Sequence, residues 1–213
     1  MDFIDENLLD YVIQNSQKEP KLLTELTRAT HLKVLQPRML SGPLQGRFLS
    51  LLSKLLRPKR ILEVGTFTGY ATLCLAEGLP EDGVIHTLDK NEELLDFQRS
   101  FFDQSPWGKQ IFQHCGDAME VLPRLNGNYD MVFLDADKKN YLNYLELILP
   151  QLNKGGLLIS DNVLWSGKVL EETNKNDRDT AVLKEFNKVI AEHASLETVL
   201  LPLRDGLTLS RKI

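Results

Sequence analysis

A chain of 213 residues, 42% of them apolar and 26% charged, can bury one full core, and those proportions fit neither a disordered nor a fibrous protein. Its formal net charge of -5 argues against a nucleic-acid polyanion as the main partner, since affinity for one comes largely from a basic surface. No apolar run approaches the roughly 18 residues of a membrane span, and the opening Met1-Asp-Phe-Ile-Asp-Glu6 is acidic where a secretory signal would be basic.

In chain order, two helical patterns occupy residues 8–32, broken near Lys18-Glu-Pro20. The first puts Leu8, Leu9, Val12 and Ile13 on one face; the second puts Leu22, Leu23, Leu26 and Leu32 together. Leu40-Ser-Gly-Pro-Leu-Gln-Gly46 reads as a Gly/Pro turn, followed by a third helix through Phe48, Leu51, Leu52 and Leu55. From Arg60 the pattern becomes short apolar strands at 61–64, 84–88, 111–114, 131–134 and 157–160. Amphipathic stretches at 70–77, 92–102, 118–122, 141–152 and 180–193 separate or follow them. This alternation predicts a parallel sheet with helices on both faces. Strands 196–201 and 207–211 are joined by five residues only, too few for a parallel crossover, so the last strand is expected to be antiparallel. The expected fold is therefore a Rossmann-like α/β domain over residues 1–213. Residues 1–56 form an N-terminal helical extension, and 57–213 hold a seven-stranded, mostly parallel core. Cys74 and Cys115 fall in a helix and a strand and read as small buried hydrophobes, which fits a reducing, cytoplasmic setting. The four histidines, His31, His86, His114 and His193, are scattered and read as structural or surface residues.

Ligands of open α/β sheets bind outside the carboxyl ends of the strands, near the point where strand order reverses. The first strand runs into Glu63-Val-Gly65-Thr-Phe-Thr-Gly69-Tyr70, a G-x-x-x-G turn preceded by an acid and not the dinucleotide G-x-G-x-x-G. Gly65 lets backbone approach a ligand, and Gly69 permits a tight entry into the next helix. A carboxylate here is poor for pyrophosphate and good for an ammonium, which favours a cofactor with a methionine tail; a plain strand-to-helix turn is the bland alternative. Asp89, twenty residues past Gly69, can accept both hydroxyls of a ribose or can simply cap a helix. In Gly116-Asp117-Ala118 the small Ala118 leaves room for an adenine ring, and Asp117 can equally be just an N-cap for the short helix after it.

The fourth and fifth strands end in Asp135-Ala-Asp137-Lys138 and Asp161-Asn162. Adjacent strand ends put Asp135, Asp161 and Asn162 within reach of one point. Two carboxylates and an amide make a hard, all-oxygen set suited to Mg²⁺ or Ca²⁺. No Cys or His is placed for zinc. Lys138 has the bland reading of a solvated lysine. Beside a divalent cation, however, a second positive charge is disfavoured, and a lysine so placed can take a phenolic proton while the metal orients the acceptor.

Four stretches carry a resemblance: Leu62-Glu-Val-Gly-Thr-Phe-Thr-Gly-Tyr70, Tyr129-Asp-Met-Val-Phe-Leu-Asp-Ala-Asp-Lys138, Gly155-Gly-Leu-Leu-Ile-Ser-Asp-Asn-Val-Leu-Trp-Ser-Gly167 and Pro202-Leu-Arg-Asp-Gly-Leu-Thr-Leu209. The chain resembles the cation-dependent O-methyltransferases typified by the caffeoyl-CoA and catechol enzymes, from about Leu40 to Lys212. The resemblance implies a class I methyltransferase fold, S-adenosylmethionine as cofactor, a divalent cation (Mg²⁺, with Mn²⁺ or Ca²⁺ open), a small phenolic acceptor and a homodimer. It implies a cofactor site of Ser41, Glu63, Gly65, Thr66, Ala71, Asp89, Ala118, Asp135, Asp137 and Tyr144. It further implies metal ligands Asp135, Asp161 and Asn162, with Lys138 as base and Asp135 facing both metal and cofactor. Three positions depart from the family pattern: Ala71 for a Ser that helps hold the cofactor carboxylate, Ser166 for an Asn of the plant enzymes, and Arg204 within the Pro-x-Gly-Asp-Gly run. The acceptor reading is methylation of a vicinal aromatic diol, with a hydroxylated uridine in tRNA as the alternative. An oxidoreductase or a non-catalytic binding protein fits the motifs less well. The polar segment 168–177 is expected to be a mobile surface loop with a possible lid role.

Overall fold

The computed structural model describes residues 4–125, 127–172 and 177–213, so residues 173–176 of the expected polar loop lie outside the described residues. The N-terminal part holds α1 (Glu6–Gln14), α2 (Lys21–Lys33) and α3 (Gly42–Leu56). Asp5 starts α1 by accepting the Asn7 N–H at 3.0 Å. The apolar faces expected here are only partly covered. α1 buries no residue, and Leu8 and Leu32 are 54% and 72% exposed, because both helices touch the rest of the molecule along one side only. Leu23 and Leu26 of α2 do reach the core. α3 begins at Gly42, inside the expected turn. Pro43 presets φ for a first helical turn and lacks an N–H that would have no partner there, so the Gly/Pro signal marks a helix start. Gly46, within α3, has no room for a side chain, since a Cβ there would sit 2.6 Å from the Tyr70 ring.

The seven strands are β1 (Arg60–Val64), β2 (Val84–Asp89), β3 (Ile111–Cys115), β4 (Tyr129–Leu134), β5 (Leu152–Asp161), β6 (Leu196–Leu201) and β7 (Leu207–Lys212). They form one sheet in the order β3-β2-β1-β4-β5-β7-β6. β7 is antiparallel to both β5 and β6, so the expected antiparallel last strand is present, inserted between its neighbours. Alternate residues of the central strands feed two cores. Ile61, Met131 and Phe133 face α3, α4 (Tyr70–Ala76) and α5 (Leu95–Phe102). Leu62, Val64, Val132 and Leu134 face α7 (Tyr141–Ile148) and α8 (Arg178–Glu192), with α6 (Ala118–Val121) on the same side. Each fully buried aliphatic side chain contributes roughly 1.5–3 kcal/mol relative to exposure, so these strands, and not the N-terminal helices, anchor the fold.

Two boundaries differ from the sequence pattern. α7 stops at Ile148, and β5 is ten residues long, starting at Leu152 where a helix was expected to end. Pro150, in the 3₁₀ turn Leu149–Gln151, cannot continue an α-helix. Cys74 is buried, but Cys115 is exposed, because β3 is an edge strand whose end is left uncovered. The histidines are not all scattered: His86 Nδ1 and His114 Nε2 lie 2.9 Å apart across β2 and β3, and burial pushes the His86 pKa down to about 4. Among the described residues no helix is long and apolar enough to cross a membrane.

Candidate active site

Strand order reverses between β1 and β4, and the crevice outside their carboxyl ends is where a ligand of such a sheet binds. Gly65 leaves β1 at φ +102, and a Cβ there would lie 1.8 Å from the Asp135 carbonyl oxygen. The glycine is therefore demanded by the crossing of the chain after β1 with the chain after β4, beyond any ligand approach. The Asp135 N–H donates to the Val64 carbonyl at 2.8 Å, which fixes the two ends at one level. A cleft here is bordered by Ser41, Gly65, Thr66, Thr68, Ala71 and Asp135, among others. Of the expected cofactor residues, Ser41, Gly65, Thr66, Ala71 and Asp135 are thus brought together, while Thr68 and Met39 were not foreseen.

Glu63 lies behind this cleft and is fully buried. Its Oε2 accepts from the hydroxyls of Thr72 and Thr87. Thr87 is in turn 2.5 Å from the Thr66 hydroxyl, which must donate if Thr87 donates to Glu63. Oε1 has no partner among the described residues, and neither has the buried Thr68 hydroxyl. Burial, outweighing the two threonine hydrogen bonds, pushes the Glu63 pKa up to about 8. An orphaned carboxylate oxygen in this position suits an ammonium. Asp89 is held by the N–H groups of Phe67 (2.7 Å) and Asn91 (2.9 Å), with lone pairs left over. The helix-cap alternative falls to Asn91, whose side chain accepts the Glu93 N–H. Asp117 does cap, accepting from Met119 N at 2.8 Å, and Ala118 opens α6 half-buried. Asp137 and Tyr144 meet each other, the tyrosine hydroxyl donating at 2.6 Å, but neither borders the cleft, nor does Ala118.

Parallel pairing of Leu134 with Ser160 makes Asp135 and Asp161 neighbours at the strand ends. Asp161 is fully buried. Its Oδ2 accepts from Gln45 Nε2 at 2.6 Å, and its Oδ1 accepts from the Asn162 N–H at 2.7 Å. Desolvation and the nearby Asp135 charge push the Asp161 pKa upward. Asn162 takes φ +56, which asparagine tolerates better than most residues. Lys138, 6% exposed, donates to Asp135 Oδ1 (3.1 Å), the Tyr141 hydroxyl (2.5 Å) and the Asp161 carbonyl (3.3 Å). Among the described residues, no group of three or more His, Cys, Asp or Glu can hold a metal ion. The set here is two carboxylates and an amide. Two neighbouring carboxylates, one of them desolvated, gain from a divalent cation between them, and all-oxygen donors suit a hard ion, so the residues fit. Gln45 and Tyr141 were missed in the sequence: Gln45 lies 116 residues from its partner, and no local signal marks either one.

A second cleft encloses about 120 Å³, below the roughly 300–1,000 Å³ typical of small-molecule sites. Leu9 and Ile13 of α1, Ser41 to Gln45, Leu203 and Arg204 border it. Ser41 belongs to both clefts, and Gln45 connects the second one to Asp161.

A β7 antiparallel beside β5, with a glycine turn after β1 and an acid ending β2, defines a Rossmann-like class I methyltransferase fold. The O-methyltransferase family profile matches residues 13–213. A caffeoyl-CoA O-methyltransferase of Nicotiana tabacum is 35% identical over 97% of this chain and 91% of its own length. One from Petroselinum crispum is 34% identical over 97% and 90%. Among solved structures, an O-methyltransferase from Bacillus cereus in complex with S-adenosylhomocysteine superposes with a TM-score of 0.90. It is 28% identical, covering 97% of both chains. The O-methyltransferase TomG of Streptomyces achromogenes, in complex with S-adenosylmethionine, gives 0.87 at 27% identity, covering 97% of this chain and 96% of its own. The chain belongs to the O-methyltransferase family.

Proposed function

We propose that this chain transfers the methyl group of S-adenosylmethionine to a hydroxyl of a catechol-type acceptor held against a divalent cation. The observation that carries this reading is the meeting of two clefts at Ser41, one edged by the glycine turn and Asp135, the other joined to Asp161 through Gln45. When bound, the cofactor supplies an electrophilic methyl on a sulfonium, and the cation, Mg²⁺ in this reading, supplies a Lewis acid to the acceptor oxygen.

The chain's own residues bind and orient. The unpartnered Oε1 of Glu63 receives the methionine ammonium, the spare lone pairs of Asp89 receive the ribose hydroxyls, and Ala118 leaves space for the base. Ser41, Thr66 and Ala71 wall the methionine end, with Asp137 and Tyr144 braced against each other at the nucleoside end. Asp135, Asp161 and Asn162 would hold the cation, a hard Lewis acid of the kind that suits a vicinal diol. Lys138 takes the hydroxyl proton. Its three protein acceptors favour a second reading, in which it stays an ammonium that balances Asp135 and Asp161. The homodimer is part of the proposal: α3 exposes Leu51 and Leu55, one turn apart, at 56% and 72%, and light scattering in solution tests whether a second copy covers them.

Transfer of labelled methyl from S-adenosylmethionine to caffeic acid, with added Mg²⁺ or with excess EDTA, tests the reading as a whole. Labelling that EDTA removes is expected. Labelling that survives EDTA would remove the cation from the reaction, and no labelling despite cofactor binding would remove the catechol.

A further inference from the structure

Arg204 occupies the turn between β6 and β7 at φ +54, in the left-handed region that carries a steric cost for any residue with a Cβ. Glycine is the usual occupant of such a place, as Gly206 is at φ +89 two residues on. A long cationic side chain held in that conformation calls for a reason, and the second cleft supplies one. Arg204 borders that cleft beside Leu203 and opposite no carboxylate among the described cleft residues, whose other walls include the apolar Leu9, Ile13 and Leu44. Among the described residues, one of its five N–H donors meets a protein acceptor, Nη2 reaching the Arg38 carbonyl at 3.2 Å. The cleft thus joins an acidic end at Asp161, through Gln45, to an apolar wall and a cationic fork at Arg204.

We propose that Arg204 determines acceptor specificity by pairing with a carboxylate on the acceptor, so that the acceptor class is a hydroxylated aromatic acid and not an uncharged catechol. This rests on the acceptor reading given above. A guanidinium pairs with a carboxylate through two parallel N–H···O bonds, stronger than neutral hydrogen bonds and specific in direction. The aromatic ring lies along the aliphatic wall, its hydroxyls toward Asp161 and its acid toward Arg204.

The test measures binding first and turnover second. Wild-type protein and Arg204→Gly, both saturated with S-adenosylhomocysteine and Mg²⁺, are titrated calorimetrically with caffeate and with its methyl ester. Wild type is expected to bind the acid at least tenfold more tightly than the ester, and that ratio is expected to fall to about one in Arg204→Gly. Glycine suits φ +54, so the variant keeps its fold, and its binding of S-adenosylhomocysteine checks that directly. Arg204→Lys, which keeps the charge without the fork, is expected to restore only part of the preference. Equal binding of acid and ester by wild type, or an unchanged ratio in Arg204→Gly, overturns the assignment. Turnover with the two compounds reports separately on the acceptor reading: methylation of the ester alone keeps the catechol and removes the anchor. Preferential binding of the acid without methylation of either keeps the anchor and removes the catechol.

Discussion

Glu63, behind the cofactor cleft, has its pKa at about 8 in the folded chain against about 4.3 for an unperturbed glutamate. Between those values the folded chain holds a proton that the unfolded chain has released. Stability therefore falls as pH rises through that window and is fully lost, for this group, above about 8. Thermal melts of the ligand-free protein from pH 5 to 9 are expected to show the decline in wild type and a flatter profile in Glu63→Gln. Parallel profiles would remove the imbalance. At the end of β5, beyond Gln45, Asp161→Ala is expected to abolish cation-dependent methylation while leaving most cofactor affinity; calorimetry and the labelling assay together check both halves. For Lys138→Ala, the proton-acceptor reading predicts a rate loss steepest at low pH, where the acceptor hydroxyl is least ionised. The charge-balancing reading predicts a loss equal at all pH values, so a full pH profile decides between them.

Among the elements, α3 and the C-terminal end of α4 are joined by a buried cluster. Arg47 makes a two-point contact with Glu77 at 3.0 and 2.6 Å, with both side chains under a tenth exposed, and Ser50 and Lys54 donate to the same carboxylate. Burial pushes the Glu77 pKa up, but these hydrogen bonds, led by Arg47, hold it below the ordinary value. Arg47→Ala leaves that carboxylate to the half-exposed Lys54. Truncating one partner of a buried pair costs about 3–5 kcal/mol, and the remaining lysine puts this variant near the lower end. A denaturant series is expected to show the fall in midpoint with little change in slope. The glycine turn after β1 has a different weakness: Gly65→Ala cannot avoid the Asp135 carbonyl, so loss of cofactor binding is expected along with loss of stability.

At the scale of the whole molecule, α1 buries none of its own side chains yet borders the second cleft with Leu9 and Ile13. Removal of residues 1–16 is expected to leave the melting temperature within a few degrees and the cofactor affinity unchanged, while raising the KM for the acceptor. A collapse in stability would show that α1 is structural. This division follows from burial: the central strands exclude water on both faces, whereas the N-terminal helices touch the core on one side.

Much of this organisation was legible in the chain itself. Alternation along strands, the Asp117 cap, and the Gly65 and Gly69 punctuation are short-range, and each residue reports its own neighbourhood. The acids at strand ends could be ordered along the crevice because parallel strands align their carboxyl ends, and so Asp135 and Asp161 were foreseen as neighbours. What only the tertiary structure decided are pairings whose partners have no sequence proximity or shared period. Gln45 on Asp161, Tyr141 under Lys138, His86 against His114 and Arg204 against the Arg38 carbonyl belong to that group. The exposure of Cys115 and the insertion of β7 between β5 and β6 depend likewise on which strand ends at the sheet edge, a property of the assembled sheet and not of any segment. The sequence by itself determined the kinds of chemistry at the strand ends. Folding decided which side chains would meet there, because contacts across a sheet are set by register and packing and not by spacing along the chain.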